Sequence, residues 1–485
     1  MKKVLALLLT IWLLFLNSAY GFAQNNNDID YSLTHIGVVI RHDYSVTRPM
    51  YKLSDFSEDL FKEIIPIALY DMTDIEGSKF NKDVFCDILM LELKNKGDSA
   101  IDKALKAVLN LNFVKDAGRC YYRHLFDVAS YSLPNDTLYS DQYALETIDA
   151  IRAWGLCEST DTIKIGVIDS GISEHADLTA YSASYPENMC FTTDNNLEDY
   201  FGHGTHVAGI IGATINNALG VAGTAKKVEL INFKITKTQF YPFGIKYTDV
   251  IPGCSAMAIM QAGAWGLDIV NCSYGDPNPD TMEQAAIDNY YYGLVIASAG
   301  NDGNTTIMYP AGYNNNRIIT VGATDINDDL WSNSNYGTSY VDIAAPGVAI
   351  KSTIPDNDYD INSGTSMATP FVTAVAAMIY LESPATIAET KSFILDSADA
   401  ISSLSDYVAS GRRLNAFEAL RSAMGYLMGD VDFDENVTAA DARLIDRCAD
   451  GLETFTSAQL VLADMDKDGY VTLDDALIAL VLAAG

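Results

Sequence analysis

Positive charge is what this 485-residue sequence lacks most: 31 Lys and Arg stand against 64 Asp and Glu, a net charge of −33. A field of that sign repels polyanions, which excludes nucleic acid and an anionic membrane surface as partners. It suits an exported protein that carries cation sites. Cysteine is scarce as well. Seven, an odd number thinly spread, do not make a disulfide framework. They read as small buried hydrophobes with one or two bridges at most, Cys86 and Cys120 being a candidate pair on paired strands. Apolar runs long enough to span a bilayer, roughly 20 residues, are lacking too. Val4 to Leu16 after Met1-Lys2-Lys3 is shorter, and its charged start and the small residues Gly21 and Ala23 mark a secretory signal. Cleavage is expected after Ala23, with Gly21 the alternative, leaving a mature protein without a membrane span.

What is present is a globular composition, 49% hydrophobic, and length for about three domains. Residues 24–133 read as a small α+β domain without a catalytic constellation. Its strands are His35 to Ile40, Val84 to Leu93 and Cys120 to Phe126. An amphipathic helix over Ser99 to Asn110, with Ile101, Ala104, Leu105, Val108 and Leu109 on one face, completes a β-α-β unit. The turn Pro134-Asn135-Asp136 opens a second domain, 134–424. There the β-branched runs Ile163 to Ile168, Val228 to Ile235, Ile269 to Cys272, Leu294 to Ser298 and Ile318 to Val321 alternate with helical stretches. Near-continuous hydrophobicity predicts an α/β fold, a parallel sheet covered on both faces. In such sheets chemistry collects at the carboxyl ends of the strands.

Four motifs fall at such places. Gly364-Thr365-Ser366-Met367-Ala368-Thr369-Pro370 leads into the apolar run Val372 to Leu381, so Ser366 sits where a helix begins and free N–H groups can hold an oxyanion. Pro370 is expected early enough in that helix for its missing N–H to cost little. Asp169 ends a strand in Val167-Ile168-Asp169-Ser170-Gly171. His203 lies in Gly202-His203-Gly204-Thr205-His206-Val207-Ala208-Gly209, and Asn301 follows a strand in Ala299-Gly300-Asn301. Singly, these are an N-cap, a loop residue and a turn former. Gly204 and the lack of a following Glu set His203 and His206 apart from the metal-binding H-E-x-x-H pattern.

Taken together in the order Asp, His, Asn, Ser, the motifs resemble the subtilisin family of serine peptidases, from about Asp136 to Ala423. The resemblance implies a subtilisin-like, mainly parallel sheet sandwiched by helices, with Ser366 as nucleophile and His203 as general base. It makes Asp169 the orienting carboxylate and Asn301 an oxyanion donor. It makes Ser273-Tyr274-Gly275 the segment that pairs with substrate, although Tyr274, Asp276, Phe371 and Ala374 depart from the usual residues. It also implies a calcium site of Asp177, Asn217 and the carbonyls of Ile215, Leu219 and Val221, to which Asp136 adds a carboxylate; an ordinary turn is the alternative.

Past residue 424 the composition turns acidic, and residues 428–485 hold a repeat. Asp430, Asp432, Asp434 and Asp441 recur as Asp464, Asp466, Asp468 and Asp475, at loop positions 1, 3, 5 and 12 of a calcium loop. The carbonyls of Asn436 and Tyr470 fall at position 7. Asp rather than Glu at position 12, with an apolar helix after each loop, resembles the dockerin module of cellulosome-type assemblies, a small all-α calcium-binding domain. The resemblance implies a cohesin module as partner. Glu435 stands where the loop needs a left-handed backbone, at a cost of roughly 1–2 kcal/mol. The halves differ at Ala439-Ala440 and Asp446-Arg447 against Leu473-Asp474 and Leu480-Val481, which predicts one docking orientation.

The two resemblances imply a secreted, Ca2+-dependent serine endopeptidase acting on protein or peptide substrates and docked to a scaffold. Its own propeptide, 24–133, would be chaperone and inhibitor, removed near 127–135. The alternative is a self-processing, scaffold-borne binding protein with little turnover of added substrate.

Overall fold

In a computed structural model the β-branched runs of the central region form the strands expected of them. Residues 31–41, 56, 59–68, 86–95, 98–111, 114–121, 129–130, 133–193, 195–240, 246–291 and 293–483 are described. The expected signal segment lies outside them. The chain divides into a unit ending at Leu125 and a unit over Phe126–Ala483.

The first unit is a four-stranded antiparallel sheet in the order β2-β3-β1-β4, from β1 (Tyr31–Arg41), β2 (Phe61–Ala68), β3 (Cys86–Leu93) and β4 (Val114–Tyr121). Helix α1 (Asp98–Val108) buries Ile101, Ala104 and Val108 in this unit's core. Both β3 and β4 run antiparallel to β1 and are parallel to each other, with β1 between them. Several expectations change here. The last strand starts at Val114, upstream of Cys120, and Leu109 lies beyond the helix, half exposed. Strand β2 was not anticipated because Pro66 interrupts it; as an edge strand it can spare the N–H. Cys86 stands opposite Arg41, and its strand does not pair with that of Cys120, so the two are not on paired strands. Among the described residues Cys157, Cys254, Cys272 and Cys448 are free thiols.

The second unit opens with β5 (Ala129–Ser130) and α2 (Ala150–Leu156). Its nine-stranded sheet has the order β17-β18-β14-β13-β12-β11-β6-β8-β7. In chain order these are β6 (Ile163–Asp169), β7 (Met189–Cys190), β8 (Val228–Lys234), β11 (Ile269–Cys272), β12 (Leu294–Ser298), β13 (Ile318–Thr324), β14 (Ile343–Pro346), β17 (Asp399–Ala400) and β18 (Arg412–Arg413). All neighbours but β17 and β18 run parallel. Alternate residues enter two different cores: Leu294 and Ile296 face one, Val295 and Ala297 the other. Both faces are therefore covered, which is why these strands read as unbroken apolar runs. Two hairpins stand beside the sheet: β9 (Thr236–Phe240) with β10 (Lys246–Val250), and β15 (Ile350–Ile354) with β16 (Asp358–Asn362).

Among the helices, α3 (His203–Gly212) and α6 (Thr365–Glu382) cross one face, with α4 (Cys254–Trp265) and α5 (Thr281–Asp288) on the other. Helices α7 (Ile387–Asp396) and α8 (Ala416–Met424) close the region. Pro370 proves to be the sixth residue of α6, past the turn whose N–H groups are free in any case. The carbonyl it cannot serve, that of Ser366, accepts instead from Ser273 Oγ at 2.9 Å. A side chain thus offsets the proline at the Ser366 carbonyl.

The acidic repeat forms α9 (Ala439–Ala449), α10 (Ser457–Ala463), β19 (Tyr470–Val471) and α11 (Leu473–Ala483). Its core holds Val431, Ala442, Ile445, Phe455 and Val471. No helix among the described residues is long and apolar enough to cross a membrane.

Candidate active site

Asp169 is the last residue of β6, His203 the first of α3, Asn301 follows β12, and Ser366 lies in the first turn of α6. The sheet brings the four to one edge. His203 Nδ1 and Asp169 Oδ1 are 2.8 Å apart, and the same oxygen accepts from the Ser170 N–H at 2.7 Å. This approach needs Gly204: a Cβ there would stand 2.1 Å from the Gly171 carbonyl oxygen and 3.1 Å from Asp169 Oδ1. His203, Asn301 and Ser366 line one cleft of about 860 Å³. A second, of about 170 Å³, lies across His203 and is lined by Asp169, Thr248, Val250, Ser273 and Tyr274.

Asn301 Oδ1 accepts from the N–H and the hydroxyl of Thr365 at 2.9 and 3.0 Å. That fixes the amide, so its NH₂ remains to face the cleft. Ser366 Oγ donates to the Ser273 carbonyl at 3.0 Å, so its proton is not directed at the imidazole in this state. A turn about the Cα–Cβ bond redirects it. Ser273 is thus tied to Ser366 twice. Tyr274 donates its buried hydroxyl to Glu283 at 3.0 Å, and Asp276 bridges to Tyr309 beside Gly275.

A carboxylate that sequence reasoning missed lies behind the imidazole. Asp199 is 1% exposed and accepts from the N–H groups of Phe201, Gly202 and Thr205 at 2.8–3.1 Å, and from the hydroxyls of Ser170 and Thr205 at 2.8 Å each. Ser170 Oγ in turn accepts from the Gly204 N–H at 2.9 Å. Asp199 therefore ties the start of α3, and with it His203, to the end of β6. The signal available in the sequence was an Asp one turn ahead of a glycine-bounded helix start. Burial of the His203 ring disfavours its charged form, but the charge and hydrogen bond of Asp169, with the charge of Asp199, outweigh it and hold the pKa above the ordinary value. The neighbouring His206 behaves oppositely. It is buried, its Nε2 lies 3.1 Å from the Ile350 carbonyl, and its pKa falls to about 4.

The residues expected to hold metal fall into two kinds. Around Asp177 the loop 215–221 closes on itself. Asp177 accepts from the Asn217 amide at 2.7 Å, the Val221 N–H at 2.8 Å and the Tyr359 hydroxyl at 3.1 Å. Asp136 accepts from the N–H groups of Asn216 and Asn217. Asn217 presents its NH₂ to Asp177 and spends its oxygen on Leu219 N–H at 2.7 Å, so a cation here needs that amide reversed. In the repeat the fit is direct. The carboxylate oxygens of Asp430, Asp432 and Asp434 lie within 4.8 Å of one another, as do those of Asp464, Asp466 and Asp468. Asp441 and Asp475 are fully buried and reach back across their loops to Val431 and Met465 N–H at 3.0 and 2.7 Å. Glu435 has φ +67°, the strained conformation expected of it, and its counterpart Gly469 has φ +90°. Phe433 and Lys467 are left-handed as well, which the spacing of carboxylates does not reveal.

A serine at a helix start, a carboxylate-paired histidine and a facing amide, on a parallel sheet, are the arrangement of a subtilisin-like serine peptidase. The chain belongs to the Subtilase family, whose model matches residues 160–426. Residues 428–479 match the dockerin type I domain. The chain is 36% identical to thermitase of Thermoactinomyces vulgaris over 59% of its own length and 99% of that protein. It is also 36% identical to a thermophilic serine proteinase of Bacillus sp. strain AK1, over 74% of this chain and 82% of the other. Among solved structures, a protease from Pseudoalteromonas arctica PAMC 21717 superposes with a TM-score of 0.51 at 23% identity, covering 60% of this chain and all of that one, a likeness of fold.

Proposed function

We propose that the protein is a secreted, calcium-dependent endopeptidase that hydrolyses peptide bonds by Ser366, His203 and Asp169, is made as a zymogen, and is held on a scaffold by a cohesin module. The observation that carries this reading is that His203, paired with Asp169 at 2.8 Å, lines one cleft with Ser366 and Asn301. A peptide laid along Ser273-Tyr274-Gly275 as an added strand offers its carbonyl to Ser366. Oγ attacks that carbon as His203 Nε2 takes the hydroxyl proton, and Asp169 keeps Nδ1 protonated and stabilises the imidazolium. The oxyanion is held by the Asn301 NH₂ and the first-turn N–H of Ser366. His203 then gives the proton to the leaving amine, and water repeats the steps in reverse on the ester.

Residues 24–133 act as chaperone and inhibitor and are removed near 127–135 by the peptidase itself, in keeping with the separate folding unit that ends at Leu125. Residues 428–485 recruit a cohesin, with exposed Leu473, Ile478 and Leu482 on α11 as the apolar contact. When bound, calcium supplies the charge that lets the facing carboxylates stay together. Asp430, Asp432, Asp434, Asp441 and the Asn436 carbonyl would hold one ion; Asp464, Asp466, Asp468, Asp475 and the Tyr470 carbonyl another. The Asp177–Asn217 loop would hold a third once its amide turns.

A fluorophosphonate probe tests the reading. An activated serine displaces its fluoride and keeps the phosphonyl group, so a digest of labelled protein should carry the added mass on the peptide with Ser366 alone. Label elsewhere, or none, sinks the assignment. Asn301→Ala should lower kcat about 10²–10³-fold with KM nearly unchanged, since its donor acts on charge that develops only in the transition state. That magnitude is one measured within this family. Assay with a peptide p-nitroanilide checks it, and an unaltered kcat removes Asn301 from the oxyanion site.

A further inference from the structure

Arg152, on α2 of the peptidase region, is 3% exposed. Its guanidinium lies 3.8 Å above the Phe417 ring and donates to Asp149 at 3.0 Å and to the Val461 carbonyl at 3.2 Å. A buried cation persists only where acceptors meet it. Met428 Sδ, at 3.5 Å, is a third and weaker acceptor, and the Val461 carbonyl is main chain of α10, a helix of the C-terminal repeat. Ala458, Val461 and Leu462 of that helix are buried in the peptidase core and not in the core of the repeat. The seat is close-fitting: a Cβ on Gly155 would stand 2.5 Å from Val461 Cγ1 and 3.2 Å from the Ser457 carbonyl oxygen.

The second calcium loop begins where this helix ends. Asp464, its first carboxylate, is the C-cap of α10 and donates its N–H to the Leu460 carbonyl at 3.1 Å. Two further attachments hold that loop. Lys467 lies 3.6 Å from Glu418 of α8, and Tyr470–Val471 pairs antiparallel with Ala129–Ser130.

We propose that α10 is a built-in ligand of the peptidase domain. The C-terminal repeat completes the peptidase core, and calcium held by Asp464 to Asp475 stabilises the peptidase fold through it, because a ligand stabilises whatever folded arrangement its site requires. Leu473, Ile478 and Leu482 of α11 lie outside this seat, so the repeat holds the peptidase with one helix and presents another. The calcium statement rests on the loop assignment above; the steric one does not.

The test uses the full chain in a Ser366→Ala background, which prevents self-digestion, and reads unfolding by calorimetry. Ala is a better helix residue than Gly, so Gly155→Ala should raise the midpoint if α10 is not seated. With α10 seated it should lower the midpoint, and Val461→Ala, which removes the obstructing methyl groups, should restore most of the loss. Asp466→Asn should cut the rise in midpoint produced by saturating calcium, about 3–4 °C for calcium at a hundred times the site's Kd, while one calcium fewer is bound by titration. A midpoint unchanged or raised by Gly155→Ala, or additive effects in the double variant, would overturn the docking. An undiminished calcium-induced rise in Asp466→Asn, with or without the lost ion, would overturn the coupling. None of these readouts depends on Ser366 being the nucleophile.

Discussion

Ser366→Ala should abolish self-processing and lower kcat on a peptide substrate by about 10⁶-fold, the scale on which removal of the nucleophile acts in this family. The substitution is gentle on the fold. Ser366 occupies the first turn of α6, where Ala is as good a helix former, and its hydroxyl makes one neutral hydrogen bond, to the Ser273 carbonyl at 3.0 Å. Loss of that bond costs about 1 kcal/mol, while Ser273 Oγ still serves the carbonyl that Pro370 leaves free. A fall in rate without a fall in unfolding midpoint would therefore be chemical. Residual acceleration of about 10³–10⁴ over water should survive, because the Asn301 amide and the substrate-binding edge remain. Gel analysis and N-terminal mass spectrometry of the wild type and the variant, with casein added, measure both effects. Casein digestion by the Ser366→Ala protein would end the assignment. Processing by the wild type without casein turnover would favour a binding protein whose peptidase acts once, on itself.

The sequence made the parallel sheet legible because a strand buried on both faces leaves an uninterrupted apolar run, as in Leu294 to Ser298. The residues proposed to carry the chemistry were legible because glycines crowd them: Gly202 and Gly204 around His203, Gly300 before Asn301, Gly364 before Ser366. What stayed hidden was held by side chains reaching across long sequence separations. Asp199 caps a helix it precedes by four residues, and nothing in Asp199-Tyr200-Phe201 says that Ser170 is its partner. Ser273 compensates a proline 97 positions onward, so Pro370 could be misread as an early-turn residue. Strand β2 was lost to Pro66, which an edge position excuses. The seat of α10 was invisible for another reason. Ala458, Val461 and Leu462 have the spacing of any amphipathic helix, and periodicity states that a face is buried without saying in which core.

Asp169→Asn isolates what the carboxylate contributes beyond holding the ring, and should lower kcat about 10⁴-fold. Asp169 Oδ1 takes two hydrogen bonds, from Ser170 N–H and from His203 Nδ1, while Oδ2 is buried without a hydrogen-bond partner. An asparagine that keeps its oxygen toward Ser170 and His203 must place its NH₂ in that unpartnered spot, a buried donor left unsatisfied at about 1–3 kcal/mol. One that turns over relieves the donor but offers N–H to Nδ1, which forces the proton onto Nε2 and leaves no base for Ser366. Either way the imidazolium of the transition state loses its counter-charge. The pH profile separates this from mere loosening. The acid limb of kcat/KM reports protonation of His203 in the free enzyme, and it should lie above the ordinary histidine value in the wild type because Asp169 and Asp199 favour the charged ring. With Asp169 neutral, burial of the ring gains weight, the pKa falls, and the limb of the residual activity moves to lower pH. Asp199→Asn should move it the same way by less, since Asp199 acts through charge without a hydrogen bond to the ring. A limb that stays in place in both variants would mean that a group other than His203 takes the proton from Ser366.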